Sequence, residues 1–288
     1  MINKISISQR FKSYLKNPLS LILFLLVCLA ALSSFIVVVF IIGYILVMGV
    51  PHITPELFSF TYTSENASMF PAIVNTITMI TMSLVIAVPI GIFSAIYLVE
   101  YAKRGNKLVE MVRITAETLS GIPSIVYGLF GYLFFVTSLK WSYSLLSGAF
   151  TLAIMILPLV MRTTEEALKV VPPSYREASL GLGATRFQTL YKVILPSAIP
   201  GILSGVILSM GRVIGESAAL FLTAGTVYKI PASIMSSGRT LTVHAFLETK
   251  EKGDIASAAA AGIVLIIMIL LLNLLAKFIS KRFNKANY

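Results

Sequence analysis

The stretch at residues 19–50 reads LSLILFLLVCLAALSSFIVVVFIIGYILVMGV and contains no Asp, Glu, Lys or Arg. A helix rises 1.5 Å per residue, so about 20 apolar residues suffice to cross the hydrocarbon core of a bilayer. Five further stretches of similar length are also free of charge. They are residues 72–98, 118–139, 141–161, 193–211 and 255–276. The stretch 193–211 continues to about Leu222 if the two charged residues Arg212 and Glu216 are included. The sequence therefore predicts an all-α integral membrane protein with six transmembrane helices.

The composition excludes a soluble globular domain. Hydrophobic residues make up 57% of the 288 residues, charged residues make up 12%, and the mean hydropathy is +0.90. Soluble domains contain about 25% charged residues, and disordered chains are poor in apolar side chains. The single cysteine, Cys28, excludes a disulfide framework and a cysteine-rich metal site.

The net charge of +11 is distributed unevenly along the chain. Most Lys and Arg residues lie at the two termini, after the second span and after the fourth span. These are Lys4, Arg10, Lys12, Lys16, Lys103, Arg104, Lys107, Arg113, Arg162, Lys169, Arg176, Arg186, Lys192, Lys277, Lys281, Arg282 and Lys285. Because basic residues collect on the cytoplasmic side of a membrane, both termini are predicted to be cytoplasmic. Membrane lipid thus explains the positive charge, and nucleic acid is not expected as a partner.

Motifs for nucleotide binding and for hydrolysis are absent from the sequence. It contains neither G-x-x-x-x-G-K-[ST] nor H-E-x-x-H. His52 and His244 fall in predicted outer loops, where we expect exposed side chains. Ser64 and Ser237 lack a His and Asp pattern around them. The sequence therefore does not support a membrane enzyme, and no cofactor is expected in this chain.

The predicted cytoplasmic loop at residues 162–196 reads RTTEEALKVVPPSYREASLGLGATRFQTLYKVILP. Pro172–Pro173 ends any helix that precedes it. Ser174 stands three residues before Glu177, which is the spacing of a capping box. A short helix is therefore predicted to begin here.

A second helix start follows in the same loop. Gly181 and Gly183 are predicted to end the first short helix. Thr185 then stands three residues before Gln188, a second capping box. The loop is thus predicted to form two short ordered helices, either as a docking surface for a partner or as a hairpin on the membrane surface.

The same loop resembles the EAA loop of binding-protein-dependent ABC importer permeases. The matching residues are Glu177, Ala178, Ser179, Gly183, Val193, Leu195 and Pro196. Ser179 replaces the second Ala of that pattern, and Val193 replaces an Ile. The resemblance implies the type I ABC importer permease fold, in which short coupling helices contact separate ATPase subunits. ATP and Mg²⁺ would then bind to those subunits.

The resemblance also divides the chain. Residues 72–279 would form the permease core of five spans, with the coupling loop at about 162–196. Residues 1–71 would comprise a cytoplasmic tail, the first span and an outer loop. Residues 280–288 would form a second cytoplasmic tail.

Two charged residues lie within the fifth predicted span, in the string GRVIGESAA at residues 211–219. A charge at membrane depth is costly and indicates a functional site. Arg212 and Glu216 are four residues apart, so an unbroken helix would place them on one face. They are either residues of a substrate pathway or a structural ion pair.

This string resembles the R-x-x-G-E-[ST]-A element of phosphate importer permeases of the PstA type. Residues 158–165 (PLVMRTTE) and, more weakly, Asn75–Thr76 resemble the same family. The resemblance implies a phosphate importer with a second homologous permease subunit, two ATPase subunits and an extracytoplasmic phosphate-binding protein. Arg212 would contact phosphate, Glu216 would accept a hydrogen bond from its protonated form, and Arg162 would be either a pathway residue or a cytoplasmic anchor.

Two other interpretations remain open at this point. A permease for another oxyanion, such as sulfate or molybdate, would share the EAA loop without needing the Arg212 and Glu216 pair. A membrane enzyme or a pore without ATPase partners would need a catalytic cluster or would lack an ordered cytoplasmic loop.

Overall fold

The computed structural model describes residues 18–60, 63, 68–103 and 105–285, with the backbone alone for 279–285. The predicted N-terminal tail, Arg104 and the last three residues lie outside this part of the chain. Within it, every regular element is a helix. The α-helices are α1 Pro18–Gly49, α2 Phe70–Ile96, α3 Lys107–Ser120, α4 Ser124–Gly131, α5 Leu145–Val170, α6 Pro173–Gly181, α7 Arg186–Thr189, α8 Leu195–Ile214, α9 Ala218–Thr223, α10 Leu241–Glu251 and α11 Ile255–Lys285.

Shorter helical turns extend several of these helices. A π-helical segment, Tyr97–Tyr101, continues α2, and another, Tyr132–Ser138, continues α4. Leu190–Ile194 joins α7 to α8 without a break. Two 3-10 turns, Val50–His52 and Pro55–Phe58, follow α1.

Five helices of the described chain are long and apolar enough to cross a membrane. They are Pro18–His52, Phe70–Tyr101, Leu145–Val170, Arg186–Ile214 and Ile255–Phe278. The sixth candidate is the pair of Lys107–Ser120 and Ser124–Ser138, whose axes are bent by 103°. The predicted span at 118–139 therefore contains this bend near its start, between Ser120 and Ser124. Pro123 lacks an amide hydrogen and disfavours a helical residue before it, so the helix ends ahead of it.

α5 lies at the centre of the fold and packs against α2 and α8. Glycines allow these close contacts. A Cβ atom at Gly91 of α2 would lie 2.8 Å from Val160 Cγ1, and one at Gly205 of α8 would overlap Thr163. Small residues are what permit transmembrane helices to approach closely.

Packing between distant helices groups the loops on two sides. A Cβ atom at Gly49, at the end of α1, would lie 2.7 Å from the carbonyl carbon of Ala259 in α11. The loop after α1 and the loop before α11 therefore share one side, which we call the outer side. An ion pair of 2.7 Å between Arg176 and Glu100 brings the loop after α2 to the coupling loop on the other side.

The long segment between α9 and α10 is fixed to the start of α2. Asn75 Nδ2 donates hydrogen bonds to the carbonyl oxygens of Lys229, at 3.1 Å, and Arg239, at 3.0 Å. Thr76 Oγ1 accepts a hydrogen bond of 2.9 Å from the amide of Leu241. Both side chains are buried, so they give this outer segment a defined position.

Candidate translocation site and coupling surface

The helix that carries Arg212 ends sooner than the sequence predicts. α8 stops at Ile214, and Gly215 follows as its C-cap residue. Glu216 then lies in a break before α9 begins at Ala218. The prediction that Arg212 and Glu216 share one helix face is therefore wrong.

Glu216 is buried and interacts with α9. Its Oε1 accepts a hydrogen bond of 3.0 Å from the amide of Ala219. The first amides of a helix have no partner within the helix, and the helix dipole favours a negative charge at this end. This interaction holds the carboxylate at the start of α9, and it does not pair with Arg212.

Arg212 is half-buried at the end of α8. It forms no hydrogen bond or ion pair with any residue that the structure describes. Its charge is close enough to Tyr127 of α4 to interact electrostatically, and the Tyr127 hydroxyl donates to Leu119 O at 2.8 Å. A guanidinium presents several donors in a plane that matches an oxyanion. Arg212 is thus an available cation beside the bend between α3 and α4.

Arg162 has partners of its own. Its Nε donates to Glu166 Oε1 at 3.3 Å, and its NH1 group lies 3.5 Å from Glu117 Oε1. The side chain is about half exposed. These contacts connect α5 to α3 and favour the anchoring role over the pathway role.

The coupling loop differs from the prediction at its first helix. Pro172 is the N-cap residue of α6, and the helix begins at Pro173. Ser174 therefore lies inside the first turn, and the predicted capping box with Glu177 is wrong. Pro173 starts the helix because its fixed φ and missing amide hydrogen suit this position.

The second helix start is confirmed. Thr185 Oγ1 accepts from the amide of Gln188 at 3.2 Å, and Gln188 Oε1 accepts from the amide of Thr185 at 2.9 Å. α6 ends at Gly181, and Gly183 follows with a φ of +83°. The helix that starts at Arg186 continues into α8, however, so α6 is the one separate short helix of this loop.

Arg176 positions α6, and sequence reasoning missed this role. Its NH2 group donates to Glu100 Oε1 at 2.7 Å and to the Leu168 carbonyl at 3.1 Å. Ser179 Oγ, in the EAA-like segment, hydrogen-bonds Thr189 Oγ1 at 2.9 Å. Arg176 and Glu100 are 76 residues apart in sequence, so spacing alone could not reveal the pair.

Around the EAA-like residues, the loop exposes both polar and large apolar side chains. Glu177 and Ala178 are exposed. Leu182 is 90% exposed and Phe187 is 66% exposed. Large apolar side chains exposed together on a rigid element indicate a protein contact. We call this face, made by residues 175–187, the coupling surface.

A cluster of buried ionisable residues on the outer side was also missed. The side chains of Arg239, His244 and Glu248 are 3%, 1% and 1% exposed. The prediction that His244 is exposed is therefore wrong, while His52 is exposed as expected. Burial, together with the charges of Arg239 and Lys252, lowers the pKa of His244 to about 3. The spacing of 244, 248 and 252 places all three on one helix face, and this was the available signal.

The described residues contain no group of three or more His, Cys, Asp or Glu side chains that could hold a metal ion. The bent pair of helices, the available arginine and the coupling surface are consistent with a helical membrane transport component. The chain belongs to the family of binding-protein-dependent transport system inner membrane components, whose family model matches residues 87–285. It is a multi-pass membrane protein.

Curated relatives agree with this membership. The chain is 35% identical to the probable ABC transporter permease protein YqgI of Bacillus subtilis (strain 168), over 88% of this chain and 91% of the relative. It is 32% identical to the phosphate transport system permease protein PstA 1 of Mycobacterium tuberculosis (strain CDC 1551 / Oshkosh), over 73% and 70%. It is 41% identical to PstA of Pasteurella multocida (strain Pm70), over 61% and 63%.

Solved structures share the fold. A bacterial ABC transporter involved in the import of the acidic polysaccharide alginate aligns with a TM-score of 0.67 and 18% identity, over 95% of this chain and 99% of that chain. The MetNI methionine ABC transporter, in an inward-facing conformation, aligns with a TM-score of 0.60 and 21% identity, over 75% and 94%. The type I ABC importer permease fold is confirmed.

Proposed function

We propose that this chain is the permease subunit of an ATP-driven importer of inorganic phosphate. The observation that carries the proposal is Arg212, a half-buried cation without a protein partner among the described residues, at the end of a membrane-spanning helix. Relatives named as phosphate transport permeases support the choice of substrate.

The chemistry of the break suits phosphate. The guanidinium of Arg212 stays charged at any relevant pH and offers parallel donors to two oxygens of one anion. One oxygen of the Glu216 carboxylate is held by Ala219, which leaves the other to accept a hydrogen bond from hydrogen phosphate. Sulfate carries no proton near neutral pH and would meet only repulsion from this carboxylate.

The partners follow from the coupling surface. A transport cycle needs energy, and we propose that two ATPase subunits, which bind ATP and Mg²⁺, dock on residues 175–187. A second homologous permease would complete the pathway, and a phosphate-binding protein would deliver substrate on the outer side. Both termini would then be cytoplasmic, as the distribution of Lys and Arg predicts.

Copurification and uptake test this proposal together. In mild detergent, the tagged chain should copurify with a second permease and an ATPase. Vesicles containing this complex and the binding protein should accumulate phosphate when supplied with ATP and should discriminate against sulfate. ATP-driven sulfate or molybdate uptake without phosphate uptake would refute the choice of substrate. Purification of the chain without an ATPase would refute the importer assignment.

A further inference from the structure

Five side chains, three of them charged, form a compact polar group on the outer side, which we call the outer cluster. They are Tyr228, Arg239, His244, Glu248 and Lys252. Lys252 Nζ lies 2.9 Å from Glu248 Oε2 and donates to Glu248 Oε1 at 3.0 Å. Arg239 Cζ lies 3.5 Å from the centre of the Tyr228 ring. An arginine and a lysine thus surround one carboxylate.

Arg239 is poorly satisfied for a buried charge. Its NH1 group is 3.9 Å from Glu248 Oε1, which is too long for a hydrogen bond. NH1 contacts His244 Nδ1 at 3.3 Å, and Nε has no hydrogen-bond partner among the described residues. His244 Nε2 is buried and likewise without such a partner. A buried charge with unused donors is costly unless another group can engage it.

The cluster is connected to the Arg212 site through α10. Thr242, between Arg239 and His244 in sequence, hydrogen-bonds the carbonyl oxygen of Ile214, two residues after Arg212. The side chain of Asn75, in α2, donates a hydrogen bond to the backbone carbonyl of Arg239. An anion that approaches from the outer side would therefore meet the cluster close to the end of α8.

We propose that the outer cluster is a second oxyanion-binding site for phosphate. When no anion is bound, the Glu248 carboxylate neutralises the charges of Arg239 and Lys252. This inference rests on the proposed function and extends it from Arg212 to the outer side. No covalent change is involved, because one anionic group replaces another.

Electrostatics favours such an exchange. Hydrogen phosphate can carry two negative charges where Glu248 carries one, and the interaction with each cation grows in proportion to that charge. Arg239 has donors that Glu248 does not reach. Lys252 is 41% exposed, so an anion can approach the cluster from the aqueous side. When the anion leaves for Arg212, Glu248 neutralises the cations again.

The test measures binding of radiolabelled inorganic phosphate to the assembled transporter without its binding protein, in a chain that also carries Arg212→Ala. Glu248→Gln keeps the shape of the side chain and removes the competing charge. We expect it to tighten phosphate binding by at least about tenfold. The matched control is Glu251→Gln, which removes an exposed carboxylate from the same helix and should leave binding unchanged.

A second pair of variants tests the site with a substitution that should not impair folding. Lys252→Gln alters a half-exposed side chain, so the helix should persist, and phosphate binding should weaken by about fivefold or more. Lys250→Gln, at an exposed position on the same helix, is its control. Equal affinities for Glu248→Gln and Glu251→Gln, or for Lys252→Gln and Lys250→Gln, would overturn the outer site. The proposed function would still stand after that result if the unmodified transporter imports phosphate. If the unmodified transporter does not import phosphate, the proposed function itself is refuted.

Discussion

Thr242 Oγ1 donates a hydrogen bond of 2.5 Å to the carbonyl oxygen of Ile214, the last residue of α8. The last carbonyl groups of a helix have no partner within it, so this bond satisfies one of them from a different helix. It joins α10, which carries His244 and Glu248 of the outer cluster, to the helix that carries Arg212.

Loss of this bond should slow transport. Thr242→Val keeps the shape of the side chain and removes a bond that contributes about 1 kcal/mol. We expect the maximal rate of phosphate uptake to fall by about fivefold, because the end of α8 is then less well positioned. Thr249→Val is the control, since the Thr249 hydroxyl is exposed and bonds only within its own helix, to Ala245. Equal rates for the two variants in vesicles would argue against a positioning role.

The turn after α6 should matter for coupling. Gly183 has a φ of +83°, and a β-branched residue there is strained by about 1–2 kcal/mol. Gly183→Val should shift the coupling surface and uncouple ATP hydrolysis from phosphate uptake, while the complex still assembles. Gly181→Ala, at a helical position with open space around it, should stay coupled. The ratio of phosphate imported to ATP hydrolysed is the measurement, and an unchanged ratio in Gly183→Val would count against this role.

The buried histidine should make stability depend on pH. In the unfolded chain His244 binds a proton near pH 6.5, but in the folded protein its pKa is lowered to about 3. The unfolded state therefore binds more protons below pH 6.5, and the free energy of unfolding falls as the pH drops from 6.5 towards 3, by up to about 1.4 kcal/mol per pH unit. His244→Gln should remove this component, as measured by thermal unfolding across that range. His52→Gln, at an exposed position, should keep it. The same pH dependence in both variants would contradict a buried neutral His244.

The proposed orientation can be tested by labelling in intact cells. In a chain with Cys28→Ser, a cysteine at Phe60 or Glu251 should react with a membrane-impermeant maleimide. A cysteine at Asn106 or Leu182 should react only after the cells are opened. All four positions are exposed, so access decides the outcome. Labelling of position 182 from outside would place the coupling surface in the wrong compartment.

The spans are predictable because a stretch of about 20 residues without charge, in a membrane protein, indicates a helix that crosses the bilayer. The sequence predicts interruptions less well. Pro123 bends the third span, and a carboxylate at position 216 caps a new helix where a continuous one was expected. In each case a local backbone preference ends a helix within a stretch that hydropathy alone predicts to be one continuous helix.

The outer cluster shows a second limit. Arg239, Glu248 and Lys252 look like solvated loop charges in the sequence, because nothing local shows that Asn75 and Thr76 hold this segment against α2. The pairing of Arg176 with Glu100 depends in the same way on tertiary packing. The turn at Gly183 and the helix cap at Thr185 were predictable, because the φ preference of glycine and helix capping depend on neighbouring residues alone.

Glu216 should affect selectivity more than rate. Glu216→Gln can still accept the amide hydrogen of Ala219, so the helix break should persist. The repulsion of a fully ionised anion is lost, and sulfate should then compete with phosphate more strongly by about tenfold. Uptake of labelled phosphate with increasing sulfate measures this change. Unchanged competition would exclude the carboxylate from substrate recognition.

The central claim concerns Arg212, and its most direct test is the initial rate of ATP-driven phosphate uptake by vesicles that contain equal amounts of assembled complex. Arg212→Ala should reduce the rate by at least about a hundredfold, because the anion loses its cationic partner in the pathway. Lys250→Ala, which removes an exposed cation from α10, outside the coupling surface, should transport at nearly the rate of the unmodified complex. Phosphate uptake by Arg212→Ala at the rate of this control would contradict the account.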